Sequence, residues 1–96
     1  MILAICKITL SLPGIHSLKG KRGIIRSLIT RTHNKFNVSV AEIGDNDSWD
    51  IASIGIACVS NSAAHADKTI IQILDFIDND HTGGYIVQQE REFIDT

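Results

Sequence analysis

Between residues 16 and 33 the chain carries His16, Lys19, Lys21, Arg22, Arg26 and His33, with no acid among them. Ammonium, guanidinium and imidazolium groups in such a run share one chemistry: they hold oxyanions, phosphate above all. Lys19, Arg22, Arg26 and His33 follow one another at intervals of three, four and seven residues, which puts them on one side of a helix. A row of that kind can follow a sugar–phosphate backbone. The bland counterpart is a solvated face that only keeps the protein soluble. Basic charge at a helix start opposes the macrodipole and costs a little stability, which favours a binding role.

Other reactive residue types are sparse or badly spaced. Cys6 and Cys58 sit in apolar runs without CxxC spacing and read as reduced core thiols. His16, His33, His65 and His81 are scattered, without paired metal-ligand spacing. Asp45, Asp47 and Asp50 fall short of a complete Ca²⁺ loop and read as a solvated turn. No catalytic residue, metal site or cofactor is expected.

These groups belong to a chain of 96 residues, enough for one domain over residues 1–96. A hydrophobic content of 44% with 21% charged residues is globular composition. No stretch approaches a membrane span, and the apolar start lacks the features of a signal peptide, so a cytoplasmic protein is expected. The net charge of −2 conceals a division. Residues 1–41 hold seven cations and no acid, whereas residues 42–96 hold two cations and all eleven acids. Such asymmetry predicts a polarised surface.

The pattern predicts six elements. Ile2 to Leu12 alternates with an apolar even-numbered face and reads as a strand, ended by Pro13-Gly14. Ser17 is an N-cap candidate for a helix to about Phe36, buried along Leu18, Ile25, Leu28, Ile29, Thr32 and Phe36. Asn37 to Ile43 and Ile51 to Val59 read as strands around the turn-rich Gly44–Ser48 loop. A second helix follows Ser60-Asn61-Ser62, with Ala63, Ala66, Ile70, Ile73, Leu74 and Ile77 inward. It stops over Asp78–Gly84, where Gly83 and Gly84 permit left-handed backbone. Tyr85 to Ile94 reads as a last strand whose polar centre suits a sheet edge. The order βαββαβ predicts an α+β, ferredoxin-like sandwich: a four-stranded antiparallel sheet, order 4-1-3-2, with two helices on one face. Cys6 and Cys58 would then be neighbours on the helix side.

Leu12-Pro-Gly-Ile-His-Ser-Leu-Lys19 with Lys21-Arg22, then Phe36-Asn-Val-Ser-Val-Ala-Glu42, Asp47, Trp49, Gly55 and Ser60-Asn61 resemble the YlxP-like family of uncharacterised bacterial proteins (domain of unknown function 503). Gly20 and Gly23 depart from it, standing where larger polar residues are expected. The resemblance implies a ferredoxin-like fold and a cytoplasmic bacterial protein, and supplies no activity. Family genes often lie near translation and ribosome-maturation genes, which implies a link to RNA or a ribosomal assembly intermediate by association.

Recognition of bases on the sheet needs aromatic residues on the first and third strands, and neither carries one. RNA contact would therefore run through His16, Lys19, Lys21, Arg22, Arg26 and His33. A sheet covered on one face leaves Leu3, Ile5, Gly55 and Ala57 open, with Trp49 beside them, so a homodimer or protein partner is expected there. Trp49 itself reads first as cover for the core edge, second as an interface anchor. A third reading comes from acylphosphatases, which share the fold. His16, Lys19, Arg22 and Asn37 make a loose analogy to their phosphate site, without the matching Gly-rich loop.

Overall fold

Alternation on the strands and a 3.6-residue period on the helices decide what faces inward. The computed structural model describes residues 1–80 and 84–96. In order they form β1 (Ile2–Ser11), α1 (Leu18–Lys35), β2 (Ser39–Gly44), β3 (Ile51–Ser60), α2 (Ala63–Asp78) and β4 (Tyr85–Asp95). All strand pairs are antiparallel and the sheet order is β2-β3-β1-β4, the expected 4-1-3-2 read from the other edge. This is the ferredoxin-like α+β fold. His81 and the helix stop expected at Gly83 lie outside the described residues.

Ala4, Cys6, Ile8 and Leu10 of β1 and Ala52, Ile54, Ile56 and Cys58 of β3 are buried, and form one cluster with Ile25 and Leu28 of α1 and Ala66, Ile70, Ile73, Leu74 and Ile77 of α2. Ala63, expected in that stripe, is exposed at the first position of the helix, one turn ahead of the buried run that starts at Ala66. Both helices begin where a serine side chain caps them. Ser17 accepts from the Gly20 N–H at 3.0 Å, and Ser62 from the His65 N–H at 3.3 Å. Ala4 faces Cys58 across the β1–β3 ladder and Cys6 faces Ile56, so the two cysteines share the helix side at diagonal positions, both as free thiols.

Among the described residues no helix covers the opposite sheet face. It exposes Val59, Ile51, Ile43 and Ile94, with Leu3, Ile5 and Ala57 half-buried between them. β4 is an edge strand and exposes nearly its whole length, as its polar centre predicts. Arg91 on its helix side pairs with Asp67 of α2 at 3.0 Å.

Candidate functional site

The site must be built on α1, because that helix carries most of the basic residues. Its inward face is Lys21, Ile25, Leu28 and Thr32. Lys21 is the correction to the sequence reading: it is 1% exposed and turned inward, not part of a surface patch. The same three- and four-residue spacing that aligns the exposed cations also places position 21 in register with Ile25, Leu28 and Thr32. Inside, the Lys21 ammonium donates to the Asp45 carbonyl oxygen and lies 3.2 Å from a Glu42 carboxylate oxygen. Asp45 holds a left-handed φ of 57°, which aims that carbonyl at the helix, while its carboxylate accepts from the Ser53 hydroxyl.

A second cation is also committed. Arg31 makes a two-pronged pair with the Asp80 carboxylate and donates from Nε to the Ser27 carbonyl oxygen. Lys35, on the same flank, stands 4.8 Å from the Phe76 ring centroid. This flank of α1 therefore faces α2.

The other flank is different. Lys19, Arg22, Arg26 and His33 are exposed, and among the described residues none has a carboxylate within ion-pair distance. The His33 ring Nδ1 lies 3.1 Å from the Val38 carbonyl oxygen, just ahead of β2, so the row runs along the side of α1 next to that edge strand. His16 is exposed in the turn before the cap. The first turn of α1 contains no acid that would neutralise the row. Gly23 adds no side chain beside it, and a Cβ there would meet nothing within 4 Å.

Asn37 does not join His16 and Lys19. It follows the C-cap Phe36, at the far end of an 18-residue helix roughly 27 Å long. The four residues of the acylphosphatase analogy thus sit at two poles. Asp45, Asp47 and Asp50 are exposed, and no group of three or more metal-ligating side chains occurs among the described residues.

On the open sheet face Leu3, Ile5, Gly55 and Ala57 do share one surface. Gly55 is not bare, since Ile43 from β2 lies directly over it, where a Cβ would come within 2.8 Å of Ile43 Cγ2. Trp49 is 50% exposed, so it does not seal the core edge as first expected. No helix among the described residues is long and apolar enough to cross a membrane.

Two comparisons bear on this arrangement. The family model described as "Protein of unknown function (DUF503)" matches residues 3–91. A protein of Bacillus subtilis (strain 168), described as uncharacterized protein YlxP, is 48% identical over 63 residues, which is 66% of this chain and 68% of that protein.

Proposed function

The chain belongs to the DUF503 family of proteins of unknown function, and from that premise we propose that it is a non-enzymatic RNA-binding protein. The proposed contact is the outer flank of α1, where Lys19, Arg22 and Arg26 meet successive phosphates, with His16 and His33 at the two ends. The observation that carries this reading is how the basic side chains are sorted. Lys21 and Arg31 are paired with carboxylates, whereas the remaining row is exposed and unpaired among the described residues. Lys19, Arg22 and Arg26 stand in line on the flank away from α2, with no carboxylate beside them among the described residues. A ribosomal assembly intermediate would offer such a backbone.

Contact of this kind is directed at phosphate, not at bases, and falls steeply with salt. Fluorescence anisotropy with a generic single-stranded RNA at low and moderate salt tests it. Arg22→Glu with Arg26→Glu is expected to abolish the low-salt binding. Equal binding by that variant would remove the proposal.

The open sheet face supports a second reading, as a homodimer or protein-interaction module. Val59 is 65% exposed there, beside Leu3, Ile5 and Ile94. Light scattering at high concentration tests it, and a clean monomer rules against self-association.

A further inference from the structure

A groove of about 590 Å³ opens between the outer sides of α1 and α2, lined by Lys35, Phe36, Gln72, Asp75, Phe76, Asn79 and Asp80. It lies on the α2 flank of α1, away from the row of exposed cations. Phe36 and Phe76 pack against the core and Asn79 caps α2, yet all three, with Lys35 and Asp75, also line the groove.

Its floor is aromatic. Phe36 and Phe76 meet edge to face, with centroids 5.7 Å apart and planes at 74°, and both rings are only half-buried. One side is cationic: the Lys35 ammonium stands over the Phe76 ring with no carboxylate paired to it among the described residues. The other side presents acceptors. The Asp75 carboxylate is exposed and has no ion-pair partner among the described residues. Asn79 donates from Nδ2 to the Asp75 carbonyl oxygen at 2.8 Å, which leaves its Oδ1 as the free group.

We infer that this groove holds a guanine nucleotide. The base stacks on the exposed face of Phe76 in place of the Lys35 ammonium, which swings on its flexible stem to the phosphate, and Asp75 with Asn79 accepts from the base edge. A half-buried aromatic surface suits any base. The acceptors choose among them. Guanine presents two adjacent donors, N1–H and the N2 amino group, on its Watson–Crick edge, and these match a carboxylate. Adenine presents one donor beside the N1 acceptor, whose lone pair would face the carboxylate. The volume falls within the range of small-ligand sites. A free mononucleotide and a guanosine unstacked from an RNA strand carry the same recognised group.

Calorimetric titration of the full chain with guanosine monophosphate and adenosine monophosphate tests the inference. Guanosine monophosphate is expected to bind roughly tenfold more tightly, since charge-assisted hydrogen bonds are at stake. Asp75→Asn is expected to erase most of that preference, and Lys35→Ala to weaken the nucleotide more than guanosine. Both positions are on the surface, so the variants keep the fold. A single strand with one guanosine and its adenosine counterpart form the second arm. Asp75-dependent binding of the strand far tighter than of the mononucleotide identifies a base in RNA, and the reverse identifies a free nucleotide. Equal affinity for the two bases, indifference to Asp75→Asn, or no saturation by either mononucleotide or strand overturns the inference. Arg22→Glu with Arg26→Glu leaves mononucleotide binding intact, so failure of the α1 row and failure of this groove are told apart.

Discussion

The Lys21 ammonium lies 3.2 Å from the Glu42 carboxylate, inside the protein, with the side chain of Lys21 2% exposed and that of Glu42 21%. This pair ties α1 to β2, and the Asp45 carbonyl ties the same ammonium to the turn that follows. Glu42→Gln leaves a buried cation without its counter-charge and is expected to cost about 3–5 kcal/mol. Lys21→Met with Glu42→Leu removes both charges and is expected to cost far less, since desolvation of the pair consumes most of its Coulomb gain. Urea denaturation of the single and double variants measures the coupling. A double variant as unstable as the single one would mean that the Asp45 contact, not the pair, holds the turn.

The two helical glycines of α1 predict opposite steric outcomes. A Cβ at Gly23 meets nothing within 4 Å, so Gly23→Ala is expected to stabilise by roughly 0.5–1 kcal/mol through helix propensity. A Cβ at Gly20 comes within 3.2 Å of Ser17 Oγ, the oxygen that caps the helix. Gly20→Ala therefore gains propensity while crowding the cap, and is expected to gain less than Gly23→Ala. Thermal melts of the two variants decide the order.

The fold was legible because each element repeats its signal. Six apolar residues at even numbers from Ile2 to Leu12 leave one reading, and so does the stripe from Ala66 to Ile77. Lys21 was not legible. Charge counting treats every cation as solvated, and by residue type position 21 looks like 19 or 22. Its helical phase gave a hint, because it falls in register with Ile25, Leu28 and Thr32, but only the distant Glu42 and Asp45 explain why a charge can lie there. The Phe36–Phe76 contact was hidden for the same reason, its partners standing forty positions apart in the chain. Trp49 escaped because a loop side chain has no periodicity to betray its direction.

Burial raises the pKa of both thiols; for Cys6, the nearby Arg91 lowers it by a smaller amount. The folded state therefore holds its thiol protons to higher pH than the unfolded chain does. In the window between the unfolded and the raised folded values the native state binds more protons, so stability is full below that window and falls as pH rises through it. Denaturation midpoints are expected to decline above the usual thiol range, and less so in Cys6→Ala with Cys58→Ala. Thiol reagents at pH 8 are expected to react slowly with the native protein and fast in denaturant. Rapid labelling of the native state would show that the β1–β3 layer opens readily.

Arg22 and Arg31 sit nine residues apart on one helix, yet they predict opposite phenotypes. Arg31 is engaged by Asp80 and the Ser27 carbonyl, so Arg31→Ala is expected to cost roughly 1–2 kcal/mol, reduced from a buried pair's value because the guanidinium stays about a third exposed. Its effect on RNA affinity is expected to be small. Arg22 has no protein partner among the described residues, so Arg22→Ala is expected to leave the melting temperature unchanged and to weaken RNA binding. Three phosphates neutralised by Lys19, Arg22 and Arg26 predict a log–log salt slope of about −2 for a single strand, and loss of Arg22 is expected to make it shallower by about 0.7. Stability and affinity measured on both variants form the test. If Arg31→Ala lost affinity as strongly as Arg22→Ala, RNA would be responding to the overall charge of α1, and the distinction between paired and unpaired cations would carry no functional meaning.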